Sequence, residues 1–258
     1  MAPGPTRSPR ARRTPARRAG WVAAILPAAA VLLAAACGQS ATGPAARTAQ
    51  PDPAGDRIGT LALHGPQGLR ACTASVVNSP QGNLLVTAAH CVQTRRLGLV
   101  DGLVFTPGYR NGEAPHGSWR VQKITVDPRW TSTEDPEYDV AFVTVGQLDG
   151  QEVEEVVGGN ELGTGQGFGL DVAVTGYPND GQEPITCSGR TSSQSPTQER
   201  FDCGGYTNGT SGSPWVTADG VVVGVIGGYQ EGGDTPQTSY SITFDDRVTE
   251  LYHRAITS

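Results

Sequence analysis

The sequence predicts an all-β protein that ends in one helix. From residue 58 onward, short runs of alternating apolar and polar residues follow one another, and glycine or proline separates them. The composition fits this pattern, with 35 glycines and 19 prolines among 258 residues. No long helical period appears before residue 245. Many short strands with turn residues between them are typical of a barrel or a sandwich.

The predicted strands form two groups, which a glycine-rich stretch at residues 158–169 separates. The first group comprises residues 58–63, 74–77, 83–87, 99–105, 119–126 and 140–145. The second group comprises residues 171–175, 185–188, 213–216, 221–226 and 238–244. Residues 245–256 follow as the helix, because apolar residues recur there at helical spacing. We therefore expect two β halves, at residues 57–157 and 158–258.

The first 36 residues have the pattern of an export signal. Six arginines and no acidic residue precede residue 19, and an apolar run then extends to residue 36. Small residues end that run, as they do before a cleavage site. A membrane-spanning helix is the alternative, since the run is close to the ~20 residues that a span needs.

Cys37 directly follows the apolar run, in the sequence L-A-A-A-C-G. This resembles a bacterial lipobox, in which the cysteine carries lipid and becomes the mature N-terminus. Ala34 stands where a leucine is usual, so ordinary cleavage beside Cys37 is the alternative. Residues 37–56, rich in Ala, Gly, Pro, Thr and Gln, are predicted to be a flexible linker. With lipid on Cys37, that linker would tether the protein to the outer face of the cell membrane.

The charge of the mature chain argues against nucleic acid as a partner. The formal net charge of the whole sequence is −6, and removal of residues 1–36 with their six arginines leaves −12. A chain of this charge repels a phosphate backbone. The acidity favours solubility instead.

Three short motifs carry the candidate chemistry. They are T-A-A-H-C at residues 87–91, Y-D-V-A at residues 138–141 and G-T-S-G-S-P at residues 209–214. A serine hydroxyl is a weak nucleophile until a base takes its proton. A histidine can be that base, and a buried carboxylate can fix its tautomer and stabilise the imidazolium. We therefore expect His90 to be the general base, Asp139 the orienting carboxylate and Ser211 the nucleophile.

Other residues of the same types are weaker candidates. They are His64, His116, His253, Asp127, Asp135 and Ser213. None of these histidines has a cysteine beside it that could pin its loop. Both aspartates precede a proline, which fits a turn. Asp139, in contrast, opens an apolar strand, where its charge needs partners such as His90.

At these residues the sequence resembles the chymotrypsin/trypsin family of serine endopeptidases, in a compact secreted bacterial form. The resemblance extends over about residues 71–244. The order His, Asp, Ser differs from that in subtilisin and in hydrolases with a G-x-S-x-G elbow. The resemblance implies two six-stranded antiparallel barrels with the catalytic residues between them. It also implies an oxyanion hole formed by the N–H groups of Gly209 and Ser211, and it places Ser213 where the family has its second glycine.

Four cysteines remain after Cys37, and an even number in an exported protein favours two disulfides. Three pairings are possible. We choose Cys72–Cys91 and Cys187–Cys203, because each closes a short loop and the first matches the histidine-loop bridge of the resembled family. No C-x-x-C or C…H ligand spacing supports a metal site. The resemblance implies neither a metal nor an organic cofactor.

Two positions depart from the resembled family. Thr210 stands where animal members carry an aspartate, which binds the new N-terminal ammonium after a pro-segment is cleaved. The dipeptide Arg57-Ile58 resembles such a cleavage site, but an ammonium there would have no carboxylate partner, so we expect activity without cleavage. Gly205 stands at the floor of the specificity pocket, where trypsin-like enzymes have an aspartate, and this disfavours cleavage after Lys or Arg.

Residues 223–229 resemble the family segment that pairs with an extended substrate. Gly227, Gly228 and Tyr229 replace the usual Ser-Trp-Gly, and we expect Tyr229 to narrow the pocket. The segment has no histidine of the kind that the glutamate-specific branch uses. Together these features favour a small or uncharged apolar residue before the scissile bond.

The combined observations predict a secreted, monomeric serine endopeptidase that cleaves proteins or peptides outside the cell. One alternative is a surface-attached binding module on a protease fold with little or no turnover, since a fold does not fix a function. The altered substrate segment and the uncharged Thr210 favour that alternative. A third interpretation is an esterase that uses the same three residues.

Overall fold

Strands, nearly all of them paired antiparallel, are the main regular secondary structure of the described chain, which comprises residues 43–96 and 98–257 of this computed structural model. In chain order the strands are β1 (Arg47–Thr48), β2 (Ile58–Leu63), β3 (Arg70–Val77), β4 (Leu84–Thr87), β5 (Gln93–Thr94), β6 (Gly98–Leu99), β7 (Leu103–Pro107), β8 (Trp119–Val126), β9 (Ala141–Val145), β10 (Glu161–Leu162), β11 (Asp171–Gly176), β12 (Ile185–Arg190), β13 (Ser192–Ser193), β14 (Gln198–Asp202), β15 (Pro214–Thr217), β16 (Val221–Val225) and β17 (Thr238–Ile242). The α-helices are α1 (Pro128–Thr133), α2 (Val153–Val157) and α3 (Asp246–Thr257), and 3₁₀ turns occur at Gly55–Arg57, Ala89–Cys91, Pro136–Tyr138 and Tyr229–Gly232. The predicted all-β class with a C-terminal helix is confirmed.

The first half forms a closed barrel with the strand order β2-β3-β4-β9-β8-β7. The neighbouring pairs in this barrel are antiparallel, which lets short connections join them. Its interior holds large apolar side chains that are almost fully buried, namely Leu61, Leu85, Phe105, Trp119 and Val143. The first of the two predicted six-stranded barrels is therefore confirmed.

Strands β4 and β9 are largely apolar because both of their faces are buried. Leu85 packs inside the barrel, whereas Leu84 and Phe142 belong to a second apolar cluster outside it. Helix α3 covers this second cluster with its buried Leu251, and its Tyr252 ring meets the Phe142 ring edge-on at 5.6 Å. The apolar stripe of the C-terminal helix thus shields the outer face of the barrel from water.

The second half consists of two sheets around a separate core. A six-stranded sheet has the order β1-β12-β11-β15-β16-β10, and a three-stranded sheet has the order β13-β14-β17. Their shared core includes Val172, Val174, Phe201, Trp215 and Val223. Within the described residues the ladders of this half do not close into a ring, so a second closed six-stranded barrel stays a prediction.

Two short helices, α1 and α2, lie where the sequence indicated no helix. The Asp127 side chain accepts a hydrogen bond from Arg129 N at 2.9 Å and caps α1, with Pro128 in its first turn. Glu152 and Glu155 form a capping box at the start of α2. With six and five residues, the two helices are too short to show a helical period in the sequence.

Part of the predicted flexible linker packs against the second half. Strand β1 pairs with β12. Ala46 N donates to Gly204 O at 2.7 Å, and Gly204 N donates to Pro44 O at 2.8 Å. An Ala- and Pro-rich segment has no amphipathic pattern, but its backbone can still pair with an open sheet edge. Residues 44–49 therefore differ from the flexible linker that the sequence indicated.

Several predictions about the start of the chain concern residues outside the described part. The export signal at residues 1–36 and the candidate lipid site Cys37 lie there. Within the described ranges, no helix has the length and apolar character needed to cross a membrane. The boundary between halves at residues 157 and 158 also stays a prediction.

Both predicted disulfides are present. Cys72 on β3 is bonded to Cys91, and Cys187 on β12 is bonded to Cys203. Their sequence separations are 19 and 16 residues. In the chain-entropy account, a loop of about 15 residues contributes ~3 kcal/mol by restricting the unfolded chain. The first bond also anchors the turn that carries His90.

Candidate active site

The fold brings His90 and Asp139 into direct contact. His90 lies in the 3₁₀ turn after β4, and Asp139 lies two residues before the start of β9, the partner strand of β4. Nδ1 of the His90 ring is 2.8 Å from Asp139 Oδ2, and His90 N donates to Asp139 Oδ1 at 2.9 Å. A carboxylate beside Nδ1 favours the proton on that nitrogen, which leaves Nε2 as the basic nitrogen of the ring.

The carboxylate of Asp139 is fully buried, so its charge depends on hydrogen bonds. Besides the two bonds to His90, Asp139 Oδ2 accepts a bond from Gly228 N at 2.8 Å. A Cβ on the neighbouring Gly227 would stand 3.1 Å from Asp139 Oδ2, so a larger residue would crowd the carboxylate. Two residues predicted to bind substrate therefore lie against the Asp139 carboxylate. Their role toward substrate stays a prediction.

The imidazole of His90 has a raised pKa. Burial of the ring lowers this pKa, but the charge and the hydrogen bond of Asp139 raise it, and the charge of Glu231 raises it further. The pKa of His90 therefore lies above its ordinary value of 6.5. A raised pKa makes the neutral ring a stronger base, although the ring then needs a higher pH to be neutral.

Ser211 and His90 line the same cleft, which has a volume of about 930 Å³. In the described chain, the Ser211 hydroxyl makes no hydrogen bond with the imidazole, and such bonds often form only when substrate binds. The rival Ser213 is fully buried, and its hydroxyl donates to Thr210 O at 2.6 Å. Of the two serines in the motif, Ser211 is thus the one that a substrate can reach.

Two glycines let the Ser211 loop (residues 209–212) lie against its neighbours. Gly209 and Gly212 have φ values of 98° and 80°, in the left-handed region that favours glycine. A Cβ on Gly212 would stand 2.2 Å from Thr73 O, and one on Gly209 would stand 2.6 Å from Tyr177 O. The close approach therefore requires the glycines that the motif supplies.

Thr73 on β3 fastens the Ser211 loop to the first barrel. Its N–H donates to Ser211 O at 2.8 Å, and its hydroxyl donates to Gly209 O at 3.0 Å. The hydroxyl of Thr87, three residues before His90, donates to Thr73 O at 2.8 Å. Because Thr73 is fully buried, water does not compete for these bonds. A short chain of contacts thus links the loop of Ser211 to the strand that leads to His90.

Two backbone N–H groups of the Ser211 loop are free to bind an oxyanion. Among the described residues, neither Gly209 N nor Ser211 N donates to a protein acceptor, and both residues line the cleft. Gly212 N, in contrast, donates to Ile226 O at 2.7 Å. A pair of unengaged N–H groups beside a nucleophile is what an oxyanion site requires.

Gly205 and Tyr229, also predicted to bind substrate, are not among the residues that line the cleft. Gly205 N donates to Pro236 O at 2.8 Å, and it is Pro236 and Tyr206 that face the cleft. Tyr229 is 42% exposed and packs edge-on against Tyr240, with ring centroids 5.0 Å apart. The structure therefore does not place Tyr229 where it would narrow the pocket.

The cleft is also lined by three exposed carboxylates, which the sequence analysis did not identify as site residues. They belong to Asp180, Glu231 and Asp234, and the lining includes neither Lys nor Arg. Glu231 and the preceding Gln230, whose side chain donates to Asp234, have left-handed backbones with φ values of 52° and 54°. The sequence indicated residues 223–229 only as a segment that could pair with an extended substrate. A resemblance of this kind does not show which neighbouring side chains face the cleft.

One group of side chains in the described ranges has the residue types of a metal site. Candidate ligand atoms of Cys72, His90 and Cys91 lie within 4.8 Å of one another. Both cysteines are joined in a disulfide, so neither offers the thiolate that binds a metal. These residues therefore do not fit a metal ion.

Known proteins similar to this chain include a family of peptidase domains and two proteases of known structure. A family model described as a trypsin-like peptidase domain matches residues 72–225, more than half of the chain. The protease Anisep from Arthrobacter nicotinovorans has 25% sequence identity and a TM-score of 0.71, with 83% of this chain and 100% of that chain covered. The thermostable serine protease AL20 from an extremophilic microorganism has 25% identity and a TM-score of 0.70, with 80% and 100% covered.

A curated relative is named an extracellular metalloprotease of Bacillus subtilis (strain 168). It is 28% identical over 109 residues, which is 42% of this chain. The match spans only about a third of that relative, 34% of its length. Its name describes that protein, whereas the donor set beside His90 in this chain does not fit a metal.

Glu231→Gln is expected to lower the pKa of His90, because it removes a negative charge that stabilises the imidazolium. The matched control is Asp234→Asn, since Asp234 also lines the cleft but is not among the groups that raise this pKa. NMR titration of the histidine ring protons measures both variants. An unchanged pKa in Glu231→Gln, or an equal decrease in both variants, would contradict this electrostatic account.

Proposed function

Because the chain belongs to the family of trypsin-like peptidase domains, we propose that it is a serine endopeptidase. The observation that carries this proposal is the buried pair of His90 and Asp139 beside a cleft that Ser211 also lines. The two structural relatives named as proteases support it as well.

In the acylation step, the Ser211 hydroxyl attacks the carbonyl carbon of the scissile peptide, and Nε2 of His90 accepts its proton. Asp139 stabilises the imidazolium that forms. The N–H groups of Gly209 and Ser211 donate to the substrate oxygen as it gains negative charge. When the tetrahedral intermediate collapses, the C–N bond breaks and His90 passes its proton to the leaving amine. The acyl group remains as an ester on Ser211.

In the deacylation step, water attacks this ester while His90 again accepts a proton. The second tetrahedral intermediate collapses, the carboxylic acid leaves, and His90 returns the proton to Ser211. The complete cycle consumes one water for each peptide bond and restores the starting enzyme. It uses no group beyond the chain, the substrate and water.

Catalysis outside the cell is the second part of the proposal. The arginine-rich start followed by an apolar run is typical of export, and two disulfides are typical of an oxidising compartment. The substrate is then an extracellular protein or peptide, cleaved by a monomer. Lipid on Cys37 would hold the enzyme at the outer face of the cell membrane, and the intact mass of the mature protein distinguishes that anchor from ordinary cleavage.

Activity without cleavage after Arg57 is the third part. Ile58 is 4% exposed at the start of β2, and its carbonyl accepts a hydrogen bond from the Tyr177 hydroxyl at 3.1 Å. Arg57 Nη1 donates to Asn160 Oδ1 at 3.1 Å. The residues on both sides of the Arg57–Ile58 peptide bond are therefore held in place by hydrogen bonds in the intact chain. Thr210 supplies no carboxylate that could bind a new ammonium.

Arg57→Gln is expected to mature normally and to keep the kcat/KM of the original protein on a peptide substrate, because no activation cleavage is needed. Mass spectrometry of the purified original protein, with an intact bond after Arg57, is the companion measurement. A variant that folds and matures but has no activity would refute this part of the proposal.

A fluorophosphonate probe is expected to label the protein. The activated Ser211 hydroxyl would attack its phosphorus and displace fluoride, as it would attack the carbonyl carbon of a peptide. Ser211→Ala should abolish labelling and reduce kcat for a peptide by about 10⁶-fold, as loss of a catalytic serine does elsewhere. Ser188→Ala, an exposed serine on β12, is the matched control. Absence of Ser211-dependent labelling would favour a binding module, and labelling with ester but not peptide hydrolysis would favour an esterase.

The residue before the scissile bond is proposed to be a small or uncharged apolar one. Gly205, which the family resemblance assigns to the pocket floor, has no carboxylate, and the described lining of the cleft includes no Lys or Arg that could bind an acidic side chain. The acidic groups at the cleft are exposed, so water and salt screen them. A peptide library is expected to show cleavage mainly after small apolar residues. A profile dominated by Glu, Arg or Lys would contradict this specificity.

A further inference from the structure

We propose that Arg70 is a positioning residue for the oxyanion site, an inference that rests on the proposed function. Arg70 belongs to β3 of the first barrel, whereas the Ser211 loop belongs to the second half. Arg70 acts on the β11–β12 loop (residues 177–184), and this loop in turn fixes the peptide that carries Gly209 N–H.

The guanidinium of Arg70 is held at three points. Its Nη2 donates to Asn179 O at 2.8 Å and to Gly181 O at 2.5 Å. Its central carbon lies 5.4 Å from the centroid of the Tyr109 ring, within the range of a cation–π contact. Two carbonyls that share one charged donor cannot move apart without losing a charge-assisted bond. Arg70 therefore restrains the part of the β11–β12 loop that is nearest the Ser211 loop.

Asn179 transmits this restraint to the oxyanion site. Its N–H donates to Asn208 O at 2.7 Å. A trans peptide is planar, with its carbonyl and its N–H pointing in opposite directions. Because the Asn208 carbonyl faces Asn179, the N–H of Gly209 in the same peptide faces away from Asn179. That N–H is one of the two unengaged donors at the cleft.

Close packing leaves the loop little freedom to shift. A Cβ on Gly209 would stand 2.4 Å from Asn179 Oδ1. A displaced Asn179 would remove the N–H donor that holds the Asn208 carbonyl, and the Asn208–Gly209 peptide could then rotate. Rotation would turn the Gly209 N–H away from the substrate oxygen while leaving the nucleophile in place.

Thr210 has no charge with which to order the Ser211 loop, so a charged restraint on this loop has to come from another residue. The Thr210 hydroxyl donates to Thr207 O at 2.7 Å, a neutral bond within the same loop. No ammonium–carboxylate pair at Thr210 is therefore available to order the oxyanion site after a cleavage event. Arg70 supplies a charged restraint from the other half of the molecule, and this restraint exists as soon as the chain folds.

The test compares Arg70→Met with Arg70→Lys and with a matched control, Arg110→Met. Arg110 also holds the β11–β12 loop, since its Nη1 donates to Glu183 Oε1 at 2.7 Å, but it does so at the end away from Asn179. Steady-state kinetics on a peptide, the inhibition constant of a peptidyl boronic acid and hydrogen exchange at Asn179 N–H are measured for each variant.

Outright loss of one oxyanion donor costs ~10²–10³ in kcat, so a misplaced donor in Arg70→Met should cost about tenfold or more. Boronic acid binding should weaken by the same factor, whereas KM should change little. Exchange at Asn179 N–H should become faster. Arg70→Lys should be intermediate, because an ammonium can reach a carbonyl but cannot stack as guanidinium does. Arg110→Met should lose less kcat than Arg70→Met.

Three results would overturn the proposal. The first is unchanged kcat and unchanged exchange in Arg70→Met. The second is equal loss in Arg70→Met and Arg110→Met, which would indicate general anchoring of the loop. The third is a KM change that depends on substrate residues after the scissile bond, which would make Arg70 a substrate contact. If Arg70→Met does not fold, Arg70→Lys decides between these results.

Failure of the proposed function is a distinct outcome. If the original protein neither reacts with a fluorophosphonate nor cleaves peptides, the endopeptidase proposal falls. Hydrogen exchange at Asn179 still shows in that case whether Arg70 holds the loop, since this measurement does not depend on turnover.

Discussion

The buried charge of Asp139 is the constraint around which the rest of the site is arranged. A carboxylate without water needs hydrogen-bond donors, and here they come from two separate parts of the fold. His90 approaches from the turn after β4, and Gly228 approaches from the segment after β16. Removing one partner of a buried charge costs on the order of 3–5 kcal/mol, so the two parts are held in one arrangement. The same arrangement orients the imidazole toward the cleft.

The Ser211 loop is the second junction between the halves, and neutral backbone groups dominate it. Thr73 binds the carbonyls of Gly209 and Ser211, which leaves the N–H groups of these residues unengaged. Asn179, itself bound by Arg70, sets the adjoining peptide from the opposite side. Strands of both halves thus hold the Ser211 loop, whose own sequence, rich in glycine, would otherwise allow many conformations.

Much of the fold followed from the sequence because alternation and turn residues are local signals. Strands β2 and β8 agree with their predicted bounds, Ile58–Leu63 and Trp119–Val126. Strand β14, Gln198–Asp202, was not predicted. Its adjacent charged residues Glu199 and Arg200 leave no alternation of apolar and polar residues in the sequence, although Glu199 is buried. Burial raises the pKa of Glu199 to about 7, which shows how unusual that environment is for a carboxyl group. The edge strand β1 was missed because its pairing depends on the backbone of a distant strand.

The candidate site divides in the same way. Short motifs contain His90, Asp139 and Ser211, and the residue types in these motifs indicate acid–base and nucleophilic chemistry. Arg70, Thr73 and Glu231 act on those residues from elsewhere in the chain, through contacts that exist only after folding. Their neighbouring residues carry no motif, so no local pattern could have identified them. Gly227 and Gly228 were noticed for substrate binding, but the structure also gives them a place beside Asp139.

We propose that His90, Asp139 and Ser211 form one proton-transfer chain at an oxyanion site. The decisive measurement is a crystal structure of the protein with a bound peptidyl boronic acid. We expect a bond from boron to Ser211 Oγ, with one boron-bound oxygen about 2.7–3.1 Å from the nitrogens of Gly209 and Ser211. We also expect His90 Nε2 within hydrogen-bond distance of the adduct. An adduct on another residue, or an adduct on Ser211 with its oxygens turned away from both N–H groups, would contradict this proposal.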